Sequence, residues 1–309
     1  MQTILILGGA GFIGASLVRK YLGDKGWRVV VFEPEAADLS RLEPFAGRTE
    51  LVRGTLDDTA LIADVIDRYG VDVAVHLVST MIPGSTLDHF LKETERIINP
   101  SASLFRLCAE KKVKLVFFST GGAVYGNSGG RPHREEDRRE PISYYGLSKS
   151  IMEDLIGFEH RRSGLDYIIL RPSNAYGPGQ RPGGQQGLIA VAAGKALRGE
   201  ALQIWGDGKA VRDYIYVEDL ADAVFRLVGS GVSCETVNVG SGKGYQVNEV
   251  LSMLGSHLDR PLRVEYVEKR NVDVDSIVLD CTKISSLIDF HPIGLEEGIK
   301  RFADSINRK

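Results

Sequence analysis

The chain has 309 residues, enough for one large core or two lobes, and its net charge of −3 gives no reason to expect nucleic acid or an acidic membrane surface as a partner. Its three cysteines, Cys108, Cys234 and Cys281, are widely separated, odd in number and without metal-ligand spacing, so buried thiols in a reducing compartment are expected and a metal site is not. No apolar run approaches membrane-spanning length, and a first strand at Thr3 leaves no room for a signal peptide, so a soluble cytoplasmic protein is expected.

The first element is an apolar strand over residues 3–7. Glycines follow at once in a G-x-x-G-x-x-G spacing at Gly8, Gly11 and Gly14, and residues 15–22 read as a helix. A strand that turns through glycine into a helix aims unpaired backbone N–H groups and the positive end of the helix dipole at an anion. Missing side chains at Gly8 and Gly11 admit a pyrophosphate, and Gly14 lets the helix pack against the strand. A plain glycine-rich turn would carry the same residues, but the strand before and the helix after favour dinucleotide binding. Gly8, Gly11, Phe12, Ile13 and Gly14 are the candidate contacts. A second buried strand covers residues 27–32 and ends at Glu33, nineteen residues after Gly14. A carboxylate there accepts hydrogen bonds from the adenosine ribose and repels a 2′-phosphate, so NAD is expected rather than NADP. Arg41 and Arg48 lie beyond the usual place of a phosphate clamp.

Residues 50–54 read as a third strand, 59–69 as a helix and 71–78 as a fourth strand. Residues 87–111 read as a long helical region kinked or divided at Pro100, and 113–119 as a fifth strand. The mixed-charge run 131–140 is expected to be a solvated loop. A helix over 148–162 leads to a strand at 167–171. Helices alternating with nearly continuous apolar strands imply an α/β fold with a doubly wound parallel (Rossmann) sheet. Beyond Pro172 glycine and proline crowd residues 174–187 and the elements shorten. The expected division is therefore 1–171 for the dinucleotide-binding domain and 172–309 for a smaller mixed α/β lobe, with some of its segments packing back.

Tyr145 and Lys149 form a Y-x-x-x-K spacing, which puts both on one face of a helix. An ammonium beside a phenol favours phenolate, making Tyr145 a usable acid/base near neutral pH. A surface Tyr/Lys pair would look the same, and Tyr144 competes in register but has no lysine at that offset. The pair gains weight from the preceding strand, which ends in Ser119 and Thr120, hydroxyls able to bond a substrate alcohol or ketone.

These motifs, with the runs 119–126, 171–178 and 206–214, resemble the extended short-chain dehydrogenase/reductase superfamily, and more narrowly its UDP-galactose 4-epimerase-like sugar-nucleotide enzymes. The resemblance extends through Asp280 to Pro292. It implies that Tyr145 is the acid/base, that Lys149 binds the nicotinamide ribose and that Thr120 binds the reacting sugar oxygen. Pro172 would lie against the nicotinamide, and Leu56, Leu77 and Val78 would also touch the cofactor. Asn174 would touch the sugar nucleotide, while Arg212 and Arg270, the latter in an R-x-x-D with Asp273, would hold its pyrophosphate; a guanidinium fork suits phosphate oxygens. Each arginine alone could equally be a solvated surface group. The resemblance further implies a nucleotide-sugar-binding second lobe and a homodimer formed through residues 87–111 and the helix after Tyr145, with Ile97, Ile98, Leu104, Leu107, Ile151, Leu155 and Ile156 supplying apolar surface.

Three positions depart from the family pattern. Gly121 stands where many relatives carry Ser or Thr, so a longer double-glycine turn would put Thr120 in the catalytic place, with Ser119 as the alternative. Thr55 replaces a common Asp, and His-Leu-Val-Ser at 76–79 replaces His-Leu-Ala-Ala; His76 itself is expected to be a satisfied strand-end residue. The dehydratases of the superfamily carry Asp-Glu after the catalytic Thr, where this chain has Gly121-Gly122-Ala123. The expected reaction is therefore an NAD-dependent 4-epimerisation of a UDP-hexose, or of a dTDP-linked 6-deoxyhexose. A 4-keto-sugar reductase and a non-catalytic NAD-binding regulator are the alternatives. Ile277 falls at the family's pocket-gating position and is of intermediate size.

Overall fold

A computed structural model describes residues 1–127, 130–184, 186–268 and 274–307. The strands are β1 (Gln2–Leu7), β2 (Trp27–Glu33), β3 (Glu50–Arg53), β4 (Val73–His76), β5 (Lys114–Phe118), β6 (Tyr167–Pro172), β7 (Asn174–Tyr176), β8 (Ala201–Trp205), β9 (Val211–Tyr216), β10 (Glu235–Val239), β11 (Gly244–Gln246), β12 (Arg263–Val267) and β13 (Ser276–Ile277). The helices are α1 (Phe12–Leu22), α2 (Thr59–Tyr69), α3 (Leu87–Glu93), α4 (Asn99–Lys111), α5 (Tyr144–Ser163), α6 (Leu188–Arg198), α7 (Val217–Gly229), α8 (Val247–His257), α9 (Thr282–Leu287) and α10 (Leu295–Asn307).

Seven parallel strands form the main sheet in the order β10-β6-β5-β4-β1-β2-β3. Residues 4–7 of β1 and 29–33 of β2 are all buried, as expected of strands covered on both faces. One face packs against α1 and α7, the other against α2, α4 and α5. Helix boundaries follow the local chemistry. The Asp58 carboxylate accepts from Leu61 N to start α2, and the Ser143 hydroxyl accepts from Gly146 N to start α5. Gly70 and Gly164 take left-handed conformations to end those helices.

The segment 217–239 returns to the first lobe: α7 packs on α1, and β10 extends the sheet beside β6. The rest of the second lobe is a small sheet of β11, β9 and β13, with β7 also on β9, and a β8–β12 pair. A third apolar cluster lies among α6, α8 and α10. Among the described residues no helix is long and apolar enough to cross a membrane.

Three expectations need correction. The helical region 87–111 is not broken at Pro100 but widened just before it, as a π-turn over Thr94–Ile98 in which Asn99 N bonds Thr94 O. Proline has no N–H to give the preceding turn and its ring crowds the carbonyl four residues back, and a wider turn relieves both. The run 131–140 is not simply solvated. His133 is buried, stacks on Tyr125 at 4.6 Å and pairs with Leu279, while the Glu135 carboxylate accepts from Asn238 N at 2.8 Å. Finally, Ile97, Ile98, Leu104, Leu107 and Ile156 are buried in the chain's own core, and only Ile151 and Leu155 are part-exposed.

Candidate active site

At the carboxyl edge of the main sheet, the first turn of α1 opens on a cleft of about 500 Å³. Gly11 caps the helix with no side-chain hydrogen bond, and no acidic residue sits in the first turn, so the terminal N–H groups stay available. Gly8 takes φ +91°, a conformation that glycine adopts without strain. A Cβ on Gly14 would stand 2.3 Å from the Gly8 carbonyl oxygen, so only glycine lets α1 approach the loop this closely. Gly8, Gly11, Phe12, Ile13 and Gly14 all line the cleft, as do Leu77 and Pro172. Glu33, buried at the end of β2, accepts from Ala10 N at 2.5 Å; burial raises its carboxyl, and the Ala10 hydrogen bond opposes that rise. An anion cradle beside a buried carboxylate fits a dinucleotide with free ribose hydroxyls. Leu56 and Val78 do not line the cleft: both pack into the apolar layer beneath it.

Across the cleft stand Thr120, Tyr145 and Lys149. Thr120 follows β5, and its hydroxyl stands beside the Tyr145 phenol, where it favours the phenolate. Gly146 makes this approach possible, because a Cβ there would lie 2.3 Å from the Ala123 carbonyl oxygen. Gly121 has no room for the side chain many relatives carry, since a Cβ would meet Leu279 at 2.6 Å and the Arg171 carbonyl oxygen at 3.0 Å. Ser119 turns the other way and donates to buried Glu153. Burial pushes the Tyr145 phenol up to about 12, the Thr120 hydroxyl opposes this and Glu93 adds to it. Burial also pushes Lys149 down to about 8, against the pull of Glu93 and Glu153. The expected lowering of Tyr145 by Lys149 is thus not seen: what opposes burial at the phenol is Thr120. Lys149 Nζ sits 5.1 Å from the centre of the Phe117 ring. His76 is a strand-end core residue: Nε2 lies 2.7 Å from Ser101 Oγ, and burial first, then Lys149, pushes it down to about 3.

A second, larger cavity of about 1020 Å³ adjoins the first, and Asn174, Ala175 and Gly187 line both. Asn174 is held by a hydrogen bond from Nδ2 to the Asp213 carbonyl at 2.8 Å. Alternation along β9 turns Arg212 toward this cavity, with Trp205, Tyr214 and Asp275, and turns Asp213 inward. Buried Asp213 accepts from Ser241 N, Gly242 N and Leu279 N, which fixes the turn after β10. Arg270 and Asp273 lie outside the described residues. Arg41, Ser79 and Met81, which no motif marks, also line the cleft. Arg41 donates to the Gly179 carbonyl at 2.8 Å and so links the two lobes. No spacing signal marked it, because the contact is made 138 residues away.

The description "NAD dependent epimerase/dehydratase family" matches residues 4–240. The UDP-glucose 4-epimerase of Thermotoga maritima, solved with UDP-glucose, superposes with a TM-score of 0.89 at 30% identity, covering 99% of both chains. That of Thermus thermophilus, solved with NAD, gives 0.90 at 28%, again covering 99% of both. The dTDP-4-dehydro-6-deoxyglucose reductase of Escherichia coli is 27% identical, over 99% of this chain and 98% of its own. With a cleft built for a dinucleotide and a family match over most of its length, the chain belongs to the NAD dependent epimerase/dehydratase family and is an NAD-dependent enzyme.

Proposed function

We propose that the protein is a nucleotide-sugar 4-epimerase acting on a UDP-hexose, with dTDP-linked 6-deoxyhexoses as the second substrate class. The observation that carries this reading is the pairing of Thr120 and Tyr145 on one wall of a cleft whose described lining contains no carboxylate. Dehydration needs extra acid/base groups beside the sugar, whereas inversion at C4 needs one proton carrier and a hydride acceptor.

Gly8, Gly11 and the first turn of α1 would hold the NAD pyrophosphate, Glu33 its adenosine ribose and Lys149 its nicotinamide ribose. Bound NAD supplies the hydride acceptor and a positive ring that favours phenolate. Tyr145 removes the proton from the sugar 4-hydroxyl while Thr120 hydrogen-bonds the same oxygen. Tyr145 then returns that proton once the 4-ketose has turned its other face to the cofactor. Asn174 and Arg212 hold the nucleotide portion in the adjoining cavity, Arg212 as a diphosphate ligand together with Arg270, and Asp273 of the same R-x-x-D would complete the substrate contacts. The 4-ketosugar reductase remains the second reading, favoured by the Escherichia coli relative.

The purified protein is expected to carry NAD(H) and to interconvert C4 epimers with no added cofactor. NMR of the anomeric protons across a panel of UDP- and dTDP-sugars reads this directly. Strict dependence on stoichiometric NAD(P)H would replace the epimerase with the reductase, and NAD binding without any turnover would leave a regulator.

We also place the protein in the cytoplasm, in keeping with three unpaired cysteines, and read it as a homodimer. Leu147 and Phe158, 37% and 46% exposed, flank part-exposed Ile151 and Leu155 along one stripe of α5. Sedimentation velocity at micromolar protein should give a dimer, and a monomer would remove this part of the reading.

A further inference from the structure

Glu93 is the last residue of α3 and is fully buried. A carboxylate taken wholly out of water is costly unless its oxygens are hydrogen-bonded. Here Ser79 Oγ donates to Oε1 at 2.8 Å, while Thr80 N and Thr80 Oγ1 donate to Oε2 at 3.0 and 2.5 Å. Ser79 Oγ in turn accepts from Met81 N at 3.3 Å. One side chain therefore fixes the whole turn that follows β4, and Leu77, Ser79, Met81 and Pro83 from this turn line the cleft. The π-turn begins at the next residue, Thr94, and such widened turns are frequent at functional sites.

We propose that Glu93 is a positioning residue, which clamps the 77–81 turn into the cleft wall beside the glycine loop, opposite Tyr145 and Lys149. The role in turnover rests on the epimerase reading above; the role in holding the cofactor wall does not. Its charge also reaches the catalytic pair, raising both the Lys149 ammonium and the Tyr145 phenol. The other groups facing this space are Thr120 from the end of β5, His76 from the end of β4 and Glu153 one turn beyond Lys149 on α5. Glu93 thus keeps Lys149 protonated while working against the phenolate, so removing its charge eases ionisation of Tyr145.

Two variants separate the clamp from the charge. Glu93→Ala removes every hydrogen bond to the turn, and exchange of bound NAD against radiolabelled NAD should quicken by about tenfold or more. Glu93→Gln keeps an acceptor oxygen, so exchange should stay within about threefold of the parent. The acid limb of its kcat–pH profile should nevertheless move to lower pH, by about half a unit, because one negative charge near the phenol is gone. A residue serving only fold stability would leave that limb in place. Unchanged NAD exchange in Glu93→Ala overturns the proposal, as does an unshifted limb in Glu93→Gln. If Glu93→Ala does not fold, the Gln profile decides alone. If no sugar nucleotide is turned over, the epimerase reading fails while NAD exchange still decides the clamp.

Discussion

Tyr145→Phe should lower kcat by at least about a hundredfold with little change in substrate affinity, because it removes the proton carrier and almost no volume. Burial pushes the phenol up to about 12, so its ionised fraction rises with pH throughout the neutral range. The parent rate should therefore climb with pH through neutrality, and the Phe variant should lose that slope. Thr120→Val removes one hydrogen bond to the same oxygen and should cost about tenfold, a charge-assisted bond's worth. Ser119→Ala acts elsewhere, since its hydroxyl serves Glu153 rather than the cleft, and its effect should appear in unfolding more than in kcat. Steady-state kinetics with the best epimer pair would measure all three. A Tyr145→Phe enzyme within tenfold of the parent would remove Tyr145 from the chemistry.

What the sequence disclosed and what it hid divide along a physical line. The strand-glycine-helix turn and the placing of Tyr145 and Lys149 on one helix facing it were legible because each depends on spacing within one or two adjacent elements. Strand-helix alternation likewise gave the parallel sheet, since buried parallel strands read as apolar runs. The return of β10 to that sheet was not legible, because its partner residues in Tyr167–Pro172 lie nearly seventy residues upstream and the strand itself is short. The same holds for 131–140, whose charges suggested solvent. Nothing local announces that Glu135 will meet Asn238 or that His133 will stack on Tyr125. Apolar residues on 87–111 and α5 suggested a surface for a second copy, yet most are needed by the helix pair itself.

Breaking the Glu153–Arg171 pair should be the most destabilising single change beneath the site. Both side chains are buried, and Arg171 is forked onto the carboxylate, with Nε 3.0 Å from Oε1 and Nη2 2.6 Å from Oε2. Arg171 Nη1 reaches the Tyr125 hydroxyl at 2.8 Å and the Glu135 carbonyl at 3.0 Å, and Tyr125 donates onward to Asn238 Oδ1 at 2.6 Å. Glu153 also accepts from Ser119, and Arg139 approaches it at 3.4 Å. The pair therefore grips the residue before Thr120, the residue before Pro172 and the helix turn after Lys149. Arg171→Met leaves a buried carboxylate short of its main partner and should cost about 3–5 kcal/mol of unfolding free energy. Met at both positions replaces two charges with apolar volume and should cost less than the single change, as buried pairs often do when both partners go. Urea denaturation followed by circular dichroism measures each value. An Arg171→Met loss below about 1 kcal/mol, or a double variant weaker than the single, would show that this network does not hold the site's three elements together.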